Sequence, residues 1–418
     1  MSGKSVLVCH PWMGSGGSEA TTMWTIQALQ NQGAKVIFFT TTQMDWARYN
    51  RVYGTSVNPA MLISLTASRL PGIRNSAHLV HLQNAWYQRQ CRRIARRRFD
   101  LLVSAYNQID FGRPGIQLIG DYTGYEALRR ELDPDADRNP RHRDHWLRRL
   151  YLAIGDQLRG DSARPPQSRG DLILANSSWT RGILEQFLGM NNCPVVFPPV
   201  LYQSPKGTEK ERLPRQLNEF VCLGRICPEK RIESMIRILS RVREAGFPVT
   251  FAIAGACDDP KYGQEIDALV AENRDWIRLT GFLDATARDQ LLATAYFGLH
   301  ARPTEAFGIA VAELAGSGCI PFVPDVGGPA EIVDLPELQF RDEDDAVTKI
   351  IRVLSEPDHH EELRAGLCDS MARFRPEEFM RAFIAEAECF LKSSRDRSTF
   401  RQGSNPRPAG PVPAGVRG

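Results

Sequence analysis

The sequence lacks the features that announce several protein classes. No apolar run in its 418 residues reaches the roughly 18–20 residues of a bilayer span. No cysteine pair stands in a C-x-x-C arrangement. The nine cysteines, Cys9, Cys91, Cys193, Cys222, Cys227, Cys257, Cys319, Cys368 and Cys389, are scattered. Cys222 and Cys227 flank a Gly-Arg turn with no His or Cys set nearby. Reduced thiols in a cytosolic protein are expected, with neither a disulfide framework nor a metal site. A dominant charge is also missing. Lys and Arg number 52 against 49 Asp and Glu, a net charge of +3. That balance excludes the global signature of a nucleic-acid binder. Met1–Ser5 carries no charged region followed by a long apolar stretch, so no signal peptide is expected. These absences lead to a cytoplasmic protein, at most peripheral to a membrane, with its oligomeric state open.

What is present is an alternation of strand and helix patterns. Apolar residues make up 42% of the chain, and its length suits two domains of roughly 200 residues each. Val6–Cys9 reads as a buried strand, followed by the turn Gly14-Ser-Gly-Gly17. Ala20, Met23, Ile26 and Leu29 then recur at near-helical spacing up to Gly33. Further strands are expected at Val36–Phe39, Leu101–Ser104, Gln117–Ile119 and Leu172–Ala175. A second series falls at Phe220–Leu223, Val249–Ala254, Trp276–Leu279, Tyr296–Leu299, Ile320–Val323 and Leu338–Phe340. The fold class is α/β, two doubly wound Rossmann-like domains. Residues 1–205 form the first, with an insertion at about 133–170 around an amphipathic piece at Trp146–Leu158. Residues 216–375 form the second, after a polar linker at Ser204–Arg215. A last helix over 376–392 should cross back to the first domain, leaving 393–418 as a disordered tail.

Three segments carry chemistry. In Gly298-Leu-His-Ala-Arg-Pro-Thr-Glu305-Ala-Phe-Gly308-Ile-Ala-Val-Ala-Glu313 a strand leads through a turn into a helix starting near Gly308. The unpaired N–H groups of such a helix start suit a diphosphate. Glu305 stands where a carboxylate accepts from sugar hydroxyls, and Glu313 about two turns on could hold a ribose diol. In Gly224-Arg225-Ile-Cys-Pro-Glu-Lys230-Arg231 two cations sit at the carboxyl edge of a strand, where doubly wound folds bind ligands. There they would stabilise a leaving diphosphate. Val326-Gly-Gly-Pro-Ala-Glu331 alone reads as an ordinary loop-to-helix junction. For each, the plain alternative is chance glutamates or a solvated basic turn.

In this order and spacing, the three segments resemble the C-terminal half of GT-B fold glycosyltransferases of family GT4. There a Gly-Arg…Glu-Lys turn precedes an E-x7-E element. The resemblance is close over about Glu219–Val333 and looser elsewhere. Ala175-Asn-Ser-Ser-Trp-Thr180 and Phe99-Asp-Leu-Leu-Val-Ser-Ala-Tyr-Asn are similar to the Alg11-type mannosyltransferase branch and its prokaryotic relatives. The resemblance implies a metal-independent, retaining hexosyltransferase with no cofactor and a UDP- or GDP-sugar as co-substrate. It implies donor contacts from Gly16, Gly17, Arg225, Lys230, Glu305, Phe307, Gly308, Ile309 and Glu313. The catalytic set becomes Glu305, Lys230, Arg225 and Asp121.

One departure stands out. The branch has a histidine after its Gly-Ile-Gln strand. This chain reads Gly115-Ile-Gln-Leu-Ile-Gly-Asp121-Tyr-Thr123, so Asp121 is the nearest polar substitute. It could orient or deprotonate an acceptor hydroxyl, or be a plain loop acid. Gly14–Gly17 does not follow G-x-G-x-x-G, and Thr40-Thr-Thr-Gln43 offers no acid for a ribose, which argues against NAD. Asp133-Pro-Asp-Ala-Asp137 reads as a surface loop. Six arginines in Arg89–Arg98 read as a solvated helix face or a contact with anionic lipid. The acceptor stays open between a small soluble molecule, such as a cyclitol or an aglycone, and a lipid-linked glycan. A non-catalytic nucleotide-sugar-binding protein and a GT-B-fold epimerase or hydrolase are the alternatives.

Overall fold

The computed structural model describes residues 1–14, 16–71, 79–122, 125–132, 145–160, 166–202, 215–257 and 259–403. The Asp133–Asp137 loop, nearly all of the 204–215 linker and the end of the chain from 404 lie outside them.

The first half holds strands β1 (Ser5–Cys9), β2 (Lys35–Thr40), β3 (Leu62–Thr66), β4 (Leu101–Ser104), β5 (Ile116–Ile119) and β6 (Leu172–Ala175). Its helices are α1 (Gly17–Asn31), α2 (Trp46–Tyr53), α3 (Val80–Ile94), α4 (Glu126–Leu132), α5 (Trp146–Arg159) and α6 (Ser178–Leu188). The strands form one sheet in the order β3-β2-β1-β4-β5-β6, parallel throughout.

The second half holds β7 (Gln216–Leu223), β8 (Thr250–Ala254), β9 (Ile277–Gly281), β10 (Ala295–Leu299), β11 (Ile320–Pro324) and β12 (Gln339–Phe340). Between and after them run α7 (Ile232–Glu244), α8 (Pro260–Glu272), α9 (Ala285–Thr294), α10 (Ile309–Gly316), α11 (Gly328–Ile332), α12 (Glu343–Ser355), α13 (His360–Ser370) and α14 (Pro376–Gly403). The order is β12-β11-β10-β7-β8-β9, again parallel. Counted from its own first strand, this repeats the connectivity of the first sheet. The expected α/β class of two doubly wound sheets is what the chain adopts.

The central strands read as unbroken apolar runs because both faces are covered by helices. Val6, Leu7, Val8 and Cys9 are fully buried. The second core centres on Phe220, Phe251, Phe297 and Phe322 beneath Met235, Ile238 and Leu239 of α7. Strand β3 gives no such run. It is an edge strand with Ile63 exposed, and the sequence pattern did not reveal it. The last helix also differs from expectation, since it continues past 392 to Gly403. Residues 393–403 are therefore helical, not part of a disordered tail. Phe379, Phe383 and Ala387, spaced four apart, insert from α14 into the core of the first sheet. Met1 pairs its terminal ammonium with Glu388 at 3.2 Å on the same helix.

Candidate active site

In each sheet the strand order reverses between the first and fourth strands, and ligands bind at such switch points outside the carboxyl strand ends. In the first sheet that crevice is edged by His10–Gly14, by Gly16 and Gly17, and by Ala105–Asn107. In the second it is edged by Gly224–Lys230 and His300–Gly308. The two crevices face each other. A Cβ placed on Gly17 would stand 2.5 Å from Ile309 Cδ1. The amino ends of α1 and α10 therefore meet, each capped by glycine. Gly16 is extended, whereas Gly308 has φ 99°, which favours glycine. Two helix starts aimed at one gap make a good anion cradle.

Lys230 ends the short turn Pro228–Lys230, and its Nζ lies 2.5 Å from Glu305 Oε2. Arg302 Nη1 lies 3.6 Å and His300 Nε2 3.8 Å from the same oxygen. Burial alone would raise the Glu305 carboxyl. Lys230, then Arg302 and His300, outweigh it and hold the group well below the usual carboxylate range. Burial, with Lys230 and Arg302 nearby, lowers His300 to about 3, so its ring is neutral. The site thus carries one fixed anion beside two cations and a neutral imidazole.

Backbone contacts hold Glu305 in place. Gly328 N–H donates to Glu305 O at 2.8 Å. A Cβ on Gly328 would come 2.4 Å from Phe307 Cα and 2.5 Å from Ala306 O, so the Gly327-Gly328 loop lies directly on the Glu305 loop. The first sheet holds the same loop from the other side. Ser177 Oγ donates to Ala306 O at 2.6 Å while accepting from Thr180 N–H as the cap of α6. Glu331 accepts from Ser178 N–H and Oγ–H, both at 2.8 Å. The segment that reads as an ordinary junction is thus a clasp between the two halves. Phe307 turns its side chain into the core, against Phe197 and Phe374. From that position only the backbone is left to meet a donor.

Glu313 lies on α10 with Arg288 Nη1 at 3.3 Å from its carboxylate. Burial pushes it up to about 7, partly offset by Arg288. Across the gap, Asn107 Oδ1 accepts from Gly120 and Asp121 N–H at 2.9 and 3.0 Å and fixes the turn that presents Asp121. Burial raises the Tyr106 phenol to about 12, with Asp121 adding to the effect and Arg225 of the other half opposing it. Asp121 also acts on Arg302. Arg225, Asp121, Tyr106 and Arg302 therefore share one electrostatic neighbourhood. The glycine turn is braced by Glu19, which accepts from Gly14 N–H at 3.1 Å, and by Tyr53, whose Oη accepts from Gly16 N–H at 3.1 Å. Sequence reasoning picked out Gly16, Gly17, Lys230, Glu305 and Ile309, which the fold gathers at one gap. It missed Arg302, which faces Glu305 three residues on and Asp121 on a loop of the other sheet, and Tyr106, whose charged neighbours lie on other segments.

Residues 204–366 match the family described as glycosyl transferases group 1. The chain carries a group 1 glycosyl transferase domain. That domain includes Arg225, Lys230, Glu305, Gly308 and Glu313. The chain is 26% identical over 246 residues to the GDP-Man:Man(3)GlcNAc(2)-PP-Dol alpha-1,2-mannosyltransferase of Homo sapiens, covering 54% of this chain and 50% of that one. It is 29% identical over 134 residues to the GPI3 subunit of phosphatidylinositol N-acetylglucosaminyltransferase of Saccharomyces cerevisiae, covering 31% and 29%. The chain spans about half or less of the length of these curated relatives. Among solved structures, sucrose-phosphate synthase of Thermosynechococcus elongatus aligns with a TM-score of 0.67 at 14% identity, over 93% of this chain and 100% of that one. Alr3699/HepE of Anabaena in complex with UDP and glucose aligns with a TM-score of 0.64 at 14% identity, over 92% and 99%. At these identities the likeness concerns the fold, the two-sheet GT-B architecture that carries the group 1 domain here.

Proposed function

We propose that this protein transfers a hexosyl group from a nucleoside-diphosphate sugar to an acceptor hydroxyl, with retention of anomeric configuration. The observation that carries the reading is the pairing of Lys230, Glu305 and Arg302 beside two apposed helix starts. The donor is a UDP- or GDP-sugar. Its diphosphate lies at the amino end of α10, on the Gly308 and Ile309 N–H groups. Lys230 and Arg225 stabilise the charge that grows on the departing diphosphate. Glu305, ionised and fixed by its backbone contacts, accepts from the hydroxyls of the transferred sugar. Glu313 receives the ribose diol. Asp121 orients the acceptor hydroxyl from the first sheet.

In this mechanism the donor takes over Lys230, which without ligand is satisfied by Glu305. Two named relatives act on lipid-linked or phosphatidylinositol acceptors, which supports a glycan or lipid-borne acceptor for this chain. The test is a screen of purified protein with UDP-, GDP-, ADP- and dTDP-sugars, read by release of the nucleoside diphosphate. Lys230→Ala and Glu305→Ala, each checked for folding, are expected to lose about 10²–10³-fold in turnover of the best donor. Near-native rates in both variants would overturn the assignment. Proton NMR of the first-formed product reads the retained anomer.

A further inference from the structure

Among the described residues, His10 and His300 are buried histidines that keep ring nitrogens without a hydrogen-bond partner. Both stand at the carboxyl edge of a switch-point strand, His10 directly after β1 and His300 directly after β10. A histidine that serves only packing looks different in this fold. His360, equally buried, bonds Tyr296 Oη at 2.9 Å through Nδ1 and the Val353 carbonyl at 2.7 Å through Nε2. An unpaired buried nitrogen is a cost that the folded chain carries, and such groups mark places where a ligand completes the bonding. His10 lies behind the Tyr106 ring, with centroids 5.0 Å apart. His300 lies beside a site carboxylate, its Nε2 3.8 Å from Glu305 Oε2.

The bonds of His300 fix which way its lone pair faces. Its backbone N–H donates to Phe322 O at 3.0 Å, which continues the pairing of β10 with β11 and holds the residue in place. Its ring is also bonded by the Arg302 backbone, and that contact favours the protonated ring, so it is made to the carbonyl. Nδ1 therefore carries the proton, and Nε2, the unpaired nitrogen, keeps a lone pair. Nε2 and Glu305 Oε2 are then two acceptors 3.8 Å apart with no hydrogen between them. Without ligand, Lys230 serves Oε2 and stands near enough to His300 to depress its ring. Once Lys230 turns to a diphosphate, both acceptors need new donors. Neighbouring hydroxyls of one sugar ring supply two. A neutral acceptor beside the carboxylate adds a second fixed point, and a site built to bond a hydroxyl rejects the analogue that lacks it.

We propose that His300 reads the transferred sugar: its Nε2 accepts from the hydroxyl next to the one held by Glu305, at a place that opens when Lys230 moves to the diphosphate. This rests on the transferase reading above. The sugar, and not the nucleotide, then senses His300. The full chain and its His300→Ala variant are titrated with UDP, GDP, UDP-glucose and GDP-mannose. Both are then assayed, by release of the nucleoside diphosphate, with monodeoxy analogues of the sugar nucleotide that is bound. The variant should hold the nucleoside diphosphate within about twofold of the wild type and lose about 10–100-fold in kcat/KM for the intact donor. One monodeoxy donor should show a loss of that size with the wild type and almost no further loss with the variant, because the partner of that hydroxyl is already gone. His300→Gln, which keeps an acceptor at similar reach, should recover part of the loss, and it takes the place of the alanine variant if that one melts early. A structural role would not single out one hydroxyl. Equal losses on the nucleoside diphosphate and the nucleotide sugar would overturn the proposal. So would an unchanged kcat/KM in a folded variant, or the same deoxy penalties in wild type and variant. Binding of none of the four ligands by the wild type would overturn the transferase reading, and this proposal with it.

Discussion

Glu313 shows how one burial event yields a measurable pH dependence. Its carboxyl is pushed up to about 7 by burial, although Arg288 pulls it partly back. Between the ordinary carboxylate value and about 7 the folded protein holds a proton that the unfolded chain has released. Its contribution to stability is therefore full below the ordinary value and is lost as pH rises through about 7. Donor binding should run the opposite way, because ribose hydroxyls donate to the ionised form. Affinity for an intact nucleotide sugar, which has no proton of its own to lose in this range, is expected to rise about tenfold from pH 6 to 8. Glu313→Gln should flatten that rise in calorimetric titrations. An unchanged slope would separate Glu313 from the donor. The residue was legible because E-x7-E stands in one continuous segment. Arg302 was not, because beyond Glu305 its partners are Asp121 and Tyr122 on a loop of the other sheet. The place of the Phe307 side chain was hidden for a related reason. Its neighbours in sequence are site residues, but its side chain faces Phe197 and Phe374.

At the level of elements, strands buried on both faces were the easiest to read. β4 and β6 were expected with the bounds they have, because continuous apolar runs between glycine and polar turns leave little choice. Edge strand β3 hid because three of its five side chains are exposed and none is buried. The Gly327–Glu331 segment hid because a Gly-Gly-Pro start is locally unremarkable. Its importance is a matter of clearance. Gly328→Ala would drive a Cβ into the backbone of Ala306 and Phe307, which cannot swing aside. The expected cost is about 1–3 kcal/mol in chemical denaturation, with a lower turnover because Glu305 moves with that backbone. A variant as stable and as active as the wild type would show that the loop has slack.

At the scale of the molecule, two sheets of the same strand order meet at their switch points and are joined by α14 in the first core and by a side-chain clasp beside the site. Glu331 caps α6 of the first half, and Ser177 and Thr180 hold Ala306 O of the second at 2.6 and 3.2 Å. Glu331→Ala should weaken this clasp with little change in melting, since each half keeps its own core. The expected signature is a several-fold loss in kcat/KM and faster proteolysis between the halves. The repeat of one sheet order was legible in the alternation of strands and helices. The approach of Gly17 to Ile309 was not, because no local pattern encodes which faces of two such sheets meet. The central claim is that this meeting forms a nucleotide-sugar site on Lys230, Glu305 and the start of α10. Calorimetric titration of the full chain with UDP- and GDP-sugars tests it most directly. The account predicts saturable binding of at least one donor, weakened by more than about tenfold in Lys230→Ala. Equal affinity in the wild type and a folded Lys230→Ala, or no binding of any donor by the wild type, would contradict it.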